Sequence, residues 1–150
     1  MIKVFVAALL AIVLSSAPFS PVAHATKLQT VAITLQDAST DPSISGMVIK
    51  LDIARVKAGR VTLEAVNRSQ NLVHEVLVVP ALSEGKELPF DAMTNKVVEE
   101  RVHSLGEIPE LKPGAHGKVT LNLKPGTYLL LCNQPGHYKA GMSAKLVVEK

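Results

Sequence analysis

The stretch Cys132-Asn133-Gln134-Pro135-Gly136-His137-Tyr138-Lys139-Ala140-Gly141-Met142 carries the pattern that decides the fold. Within it a cysteine, a histidine and a methionine recur at intervals of five residues. A thiolate, an imidazole and a thioether form a soft donor set, which favours copper over magnesium, calcium or manganese. Pro135, Gly136 and Gly141 supply turns that allow one short loop to fold these three donors around a single point.

Three donors from one loop leave such a site incomplete. A trigonal copper site with two histidines, one cysteine and a weak axial methionine needs a second imidazole. His74 is the best candidate, because it begins an apolar strand directly after a polar loop. Its strand can also pair beside the strand that ends at Cys132. We therefore predict one copper ion per chain, bound by four side chains: His74, Cys132, His137 and Met142.

Each of these four residues has an ordinary structural interpretation when it is taken alone. A free cysteine is often a buried core thiol, a methionine usually packs, and a histidine in a loop or at a strand end is usually solvated or hydrogen-bonded. Their combination in a β-rich chain with a single cysteine favours a metal site. Zinc is the competing metal, but closed zinc sites use thiolates and imidazoles rather than a thioether. His103 and His116 are interpreted as lying outside the site, and Met47 and Met93 are interpreted as packing residues.

Strand-like patterns separated by turn signals lie on both sides of the loop. The predicted strands span residues 28–35, 46–53, 60–67, 74–79, 104–108, 118–123, 127–132 and 144–148. Residues 37–45 read as a polar loop. The charged segment 81–104 reads as a long connection with a turn or two of helix, best at 95–102. About eight short strands with little helix predict an all-β, antiparallel β-sandwich of Greek-key type.

The first 25 residues have the pattern of an export signal. Lys3 precedes an uninterrupted apolar run from Val4 to Leu14, and Ala23 and Ala25 fit a small-residue cleavage site. The run is shorter than the roughly 20 residues that cross a bilayer. We predict a cleaved signal peptide at 1–25, with an uncleaved anchor as the alternative, and a single domain at 26–150. The expected location is the bacterial periplasm, with no stable membrane insertion after cleavage.

Composition narrows the choice of partners. The chain has 150 residues, of which 47% are hydrophobic and 19% charged, so it can build one core. The formal net charge of +3 falls by one when Lys3 is removed, and the remaining charges are interspersed. Such a pattern lacks the basic patch that nucleic-acid binding requires. We expect a monomer with no nucleic-acid partner.

The spacing of Cys132, His137 and Met142, together with the preceding Pro125-Gly126-Thr127-Tyr128, resembles the copper loop of cupredoxins, the type 1 blue copper proteins. The nearest resemblance is to small exported plastocyanin-like and sulfocyanin-like members. The segment Ala58-Gly59-x-Val61-Thr62…Asn67…His74-Glu75 is similar to the family's first-ligand region, and the resemblance extends over most of residues 46–150. It implies a cupredoxin-like fold, equatorial ligands at His74, Cys132 and His137, and an axial ligand at Met142.

The sequence departs from the family pattern at Glu75. Many cupredoxins place asparagine after the first histidine, where it ties the two ligand loops together. A glutamate there could accept backbone hydrogen bonds, stay exposed, or even coordinate the metal itself.

The resemblance implies an electron-transfer protein that cycles between Cu(I) and Cu(II), not an enzyme. A redox protein partner is expected to dock near the His137 loop. The alternative is an exported copper carrier or buffer without a shuttle role. An enzyme ranks last, because the sequence offers no second ligand cluster.

Overall fold

The computed structural model of the chain describes residues 28–37 and 46–150, which form two β-sheets packed face to face. The predicted signal peptide at 1–25 and all but the first residue of the polar loop at 37–45 lie outside these residues. The strands are β1 (Gln29–Gln36), β2 (Val48–Leu51), β3 (Arg55–Lys57), β4 (Gly59–Asn67), β5 (His74–Pro80), β6 (Phe90–Asp91), β7 (Lys96–Val97), β8 (Gly106–Leu111), β9 (His116–Leu123), β10 (Gly126–Leu131) and β11 (Ser143–Glu149).

The two main sheets differ in strand number and share a mixed pairing pattern. One sheet has the order β2-β1-β4-β9 and the other the order β3-β11-β10-β5-β8. Most neighbours are antiparallel, but β1 pairs with β4 in parallel and β11 pairs with β3 in parallel. The prediction of an all-β sandwich is therefore confirmed, whereas the prediction of purely antiparallel pairing is wrong at these two positions.

The part of the chain that the structure describes has more strands than the predicted eight because it contains three very short ones. The described residues contain eight strands of four to nine residues, near the predicted positions, and three further strands of two or three residues. The short additions are β3, β6 and β7. Strands this short carry too little alternation to be recognised from sequence.

The core lies between the two sheets and is built from aliphatic side chains. On β1 every second residue is buried, with Val31, Ile33 and Leu35 at 1% exposure or less. On β4 the buried residues Val61 and Leu63 continue the same layer. This period of two is the pattern expected of strands with one face on a core.

The connection between β5 and β8 covers the outer face of the second sheet. Its residues Leu88 and Val97 are buried against Leu77, Val79 and Leu131 in a second, smaller cluster. The connection contains the β6–β7 hairpin and a short 3₁₀ helix at Glu99–Arg101. The second sheet is therefore covered on both faces near its centre.

The helix predicted at 95–102 is wrong for its first half. Asn95 has a positive φ of 56° and Lys96–Val97 form a strand, so only Glu99–Arg101 is helical. The reason is tertiary: the backbone of Val97 bonds to the side chain of Asn133 and not to a helical turn. Among the described residues, no helix has the length and apolar character needed to cross a membrane.

Candidate metal centre

The four predicted ligand residues come from two neighbouring strands and the loop that follows one of them. His74 is the first residue of β5, and Cys132 directly follows β10. These two strands pair antiparallel, with Leu131 opposite Leu77, so the start of one lies beside the end of the other. The predicted pairing is confirmed. His137 and Met142 lie in the loop between β10 and β11.

Three donor atoms converge at this end of the sandwich. The Nδ1 atoms of His74 and His137 lie 3.2 Å apart, and the Sγ atom of Cys132 lies 3.7 Å from the first and 3.3 Å from the second. The point equidistant from all three atoms is about 2.0 Å from each, close to the bond lengths of nitrogen and sulfur ligands in protein metal sites. The donors therefore fit a single metal ion.

Backbone hydrogen bonds close the loop that carries Cys132, His137 and Met142. The N–H of Cys132 donates to the carbonyl of Met142 at 3.1 Å, and the N–H of Met142 donates to the carbonyl of His137 at 3.0 Å. Gly136 and Gly141 have positive φ angles of 83° and 90°, which supply the predicted turns. Met142 is fully buried in the same core cluster as Cys132.

Burial controls the protonation of the three converging groups in the metal-free protein. His74 and Cys132 are 0% exposed and His137 is 9% exposed. Burial lowers the pKa of His74, although Asp37 acts against it, and burial together with the nearby His74 lowers the pKa of His137. Burial raises the pKa of Cys132. Both imidazoles are therefore neutral at neutral pH, as metal binding requires.

The match to known families agrees with this geometry. A model of copper-binding proteins of the plastocyanin/azurin family matches residues 37–149. The chain belongs to this family. The cupredoxin resemblance noted in the sequence is thereby confirmed, and one copper ion is its cofactor.

Solved structures of cupredoxins share the fold of the chain. Reduced auracyanin from Roseiflexus castenholzii is 19% identical, with a TM-score of 0.53 over 83% of this chain and 98% of that one. Auracyanin A of Chloroflexus aurantiacus is 23% identical, with a TM-score of 0.54 over 80% and 99%. Rusticyanin from Thiobacillus ferrooxidans is 16% identical, with a TM-score of 0.56 over 81% and 78%. No curated protein sequence matches the chain significantly.

Glu75 is the residue that departs from the cupredoxin pattern. Its backbone and its side chain have different surroundings. Its N–H donates to the Sγ atom of Cys132 at 3.4 Å. Its carboxylate is not among the converging donor atoms. One carboxylate oxygen, Oε1, is buried without a hydrogen-bond partner, and burial raises the pKa of the group. Glu75 thus contacts the cysteine sulfur through the main chain, while its side chain lies partly buried.

The far nitrogen of His74 is held by residues that the sequence analysis missed. Nε2 lies 2.5 Å from the Oγ atom of Ser69 and 3.3 Å from Oδ1 of Asp37. Asn67 shapes the loop that delivers Ser69, because its amide donates to the carbonyls of Leu72 and Leu111, both at 2.8 Å. Asp37 lies far from the ligands in sequence, and only the parallel pairing of β1 with β4 places it beside the 67–71 loop.

Asn133 is a second residue whose role the sequence did not reveal. It is 1% exposed and follows Cys132 directly. Its Oδ1 accepts a hydrogen bond from the N–H of Val97 at 2.7 Å, and its Nδ2 donates to the carbonyl of Val97 at 3.0 Å and to Glu99 at 2.7 Å. The N–H of Gly136 also donates to the carbonyl of Asn95 at 2.8 Å. The β6–β7 hairpin therefore braces the copper loop from outside.

The residues assigned no role in metal binding lie elsewhere in the fold. His116 begins β9, and His103 follows the 3₁₀ helix. Met47 packs against the core, as predicted. Met93 is 96% exposed in the turn between β6 and β7, so its interpretation as a packing residue was wrong.

The lowered pKa values of the histidines predict how acid affects the metal-free protein. A histidine titrates near 6.5 when unfolded, and His137 titrates lower when folded. Below about pH 6.5 the unfolded state therefore binds more protons, and the free energy of unfolding falls as the pH drops. We expect wild type to lose stability relative to His137→Gln between pH 7 and pH 5 in urea titrations.

The raised pKa of Glu75 has the opposite effect on the pH dependence of stability. Glu75 is present in both proteins, so its contribution cancels when their free energies of unfolding are compared. His116→Gln makes the same substitution at an exposed position on β9, outside the site, and serves as the control. If the free energies of unfolding of wild type and His137→Gln differ by the same amount at every pH, the assigned protonation of His137 is contradicted.

The Asn133 contacts predict a large loss on truncation. Asn133→Ala leaves the N–H and carbonyl of Val97 without their partner, so we expect the free energy of unfolding to fall by about 1–3 kcal/mol. Amide hydrogen exchange at Val97 should accelerate. Gln134→Ala removes only an exposed contact with Glu110 and should change stability by about 0.5 kcal/mol or less. Equal effects of the two variants would show that the brace is not formed.

Proposed function

We propose that this cupredoxin transfers single electrons through one copper ion bound by His74, Cys132, His137 and Met142. The supporting observation is the triangle formed by two Nδ1 atoms and one Sγ atom, which has the dimensions of a metal site. Bound copper supplies the one-electron couple. A frame fixed in advance limits rearrangement when the charge of the ion changes.

Each ligand residue has a separate task in this proposal. The Cys132 thiolate supplies the soft anionic donor, and the N–H of Glu75 directed at its sulfur lowers its electron donation. His74 is fixed by its far nitrogen. Met142 is proposed as the weak axial donor, buried beneath the loop.

His137 provides the route for the electron. It is 9% exposed, whereas His74, Cys132 and Met142 are each 0% exposed. Its ring is therefore the part of the centre nearest to solvent. Pro135, a neighbour in the loop, is also exposed. We propose that a redox protein docks on this weakly charged part of the loop.

Burial of the donors argues for a shuttle over a copper carrier. A carrier transfers the ion itself, which requires an acceptor's ligands to reach it. The cysteine and the first histidine are inaccessible here, and their strands are paired in the centre of a sheet. Electron transfer through a ring edge needs no such access. We further propose that the chain works without enzymatic turnover, is exported to the periplasm after cleavage at residue 25, and acts as a monomer.

Copper titration tests the centre directly. Adding Cu(II) to the purified protein should produce an intense visible band from thiolate-to-copper charge transfer, and Cys132→Ser should abolish it. Met142→Leu should keep the band but shift the reduction potential, because the axial ligand tunes it. Met47→Leu makes the same substitution at a partly buried methionine outside the site; it is the control and should change neither. A band that persists without Cys132, or tight zinc binding with no band in copper, would overturn the proposal.

Electron self-exchange between reduced and oxidised copies tests the docking surface. Ala140 is exposed in the same loop as His137, so Ala140→Glu should place a charge where two copies meet. We expect slower self-exchange in NMR line-broadening measurements, with an unchanged visible band. Ala54→Glu adds the same charge beside Val147, toward the far end of β11, and serves as the control. Equal rates in both variants would exclude docking at this loop.

A further inference from the structure

A carboxylate lies behind the first histidine of the site, on the side away from the metal position. Oδ1 of Asp37 is 3.3 Å from Nε2 of His74, and the Ser69 hydroxyl oxygen is 2.5 Å from the same nitrogen. His74 is 0% exposed at its side chain, and Asp37 is 28% exposed. A charged group at the rim of the domain thus contacts a fully buried imidazole.

The position of the two ring nitrogens determines which one carries the proton. Nδ1 of His74 faces Cys132 and His137, so its lone pair must be free to bind the metal. The proton is then on Nε2, which becomes a donor toward Ser69 and Asp37. Both of these residues offer an oxygen acceptor, and both therefore favour the tautomer that metal binding requires.

Ser69 and the backbone hold the carboxylate in place. Oδ2 of Asp37 accepts a hydrogen bond from the N–H of Gln70 at 3.1 Å. Burial acts to raise the pKa of Asp37, but interactions with Ser69, Gln70 and His74 together hold it below its ordinary value. The imidazole therefore contacts the charge directly and also contacts a hydroxyl that interacts with the same charge.

We propose that Asp37 is a positioning residue that lowers the reduction potential of the site by acting on His74, directly and through Ser69. This inference rests on the proposed function. A negative charge hydrogen-bonded to the far side of a ligand imidazole makes that imidazole a stronger donor. The stronger donor stabilises Cu(II) more than Cu(I), since the oxidised ion carries the larger charge.

The proposed effect on the potential depends on the charge of Asp37. Holding the His74 ring in place requires only a hydrogen-bond acceptor, which need not be charged. A neutral amide oxygen at the Oδ1 position would still accept the Nε2 hydrogen bond. Asp37→Asn therefore removes the charge while keeping an acceptor for Nε2, although its amide nitrogen cannot accept from the N–H of Gln70 as Oδ2 does. Ser69→Ala instead removes the hydroxyl link and keeps the charge.

The test compares midpoint potentials of copper-loaded variants by spectroelectrochemistry. We expect Asp37→Asn to raise the potential by roughly the equivalent of a tenfold change in the Cu(II)-to-Cu(I) affinity ratio, about 59 mV for a one-electron couple. Ser69→Ala should raise it by less. Asp52→Asn is the matched control: Asp52 also accepts backbone hydrogen bonds, from Ala32 and Ile53, both at 2.8 Å. The midpoint potential of the Asp52→Asn variant should equal that of wild type.

A second measurement, made on the metal-free protein, tests the hydrogen bond between Asp37 and His74 independently of the midpoint potentials. Nitrogen-15 NMR of the apo-protein should show His74 protonated at Nε2, with the proton resonance moving upfield in Asp37→Asn as the hydrogen bond weakens. An unchanged or lowered potential in Asp37→Asn, or an equal rise in Asp52→Asn, overturns the inference. If no variant, wild type included, develops the charge-transfer band, the proposed function itself fails. If wild type and all variants develop the band and have equal midpoint potentials, the proposed role of Asp37 is wrong but the proposed function stands.

Discussion

The antiparallel pairing of β5 with β10 is the constraint on which the rest of the site depends. Leu131 lies opposite Leu77, so the chain direction brings the start of one strand beside the end of the other. This pairing places His74 beside Cys132. The loop from Cys132 to Met142 then needs only its own backbone hydrogen bonds to bring His137 into the same space. Convergence of the donors is therefore a consequence of sheet register.

The register is itself protected on both faces of the second sheet. The inner face carries Val76 and Val78, which are 0% exposed in the main core, while Leu77 and Val79 are buried under the connection between β5 and β8. A one-residue slip would exchange these two sets and move His74 away from Cys132. The connection thus does more than cross from one strand to the next. It buries the outer face of the strand that carries His74, and through Asn133 it also fixes the loop that carries the other proposed ligands.

The sequence predicted the parts of the structure that have a local signal. Alternating apolar residues located the longer strands, and the spacing of Cys132 and His137 pointed to the loop in which the structure brings their donor atoms together. The parallel pairing of β1 with β4 was not predictable, because nothing in either strand encodes its neighbour. The roles of Asp37 and Ser69 depend on that pairing and were missed for the same reason. Asn133 lies just after the apolar strand β10, but its partner Val97 lay in a segment whose pattern favoured helix.

Two acidic residues near the centre contact different proposed ligands, one through its carboxylate and the other through its backbone N–H. Asp37 hydrogen-bonds to an imidazole, and its charge strengthens donation from His74 toward the metal position. Glu75 meets the cysteine through its N–H, which withdraws electron density from the sulfur. The first contact favours the oxidised ion and the second favours the reduced one. Strand pairing fixes the positions of the donors, so we expect these opposing contacts to act on the reduction potential together with the proposed axial ligand Met142.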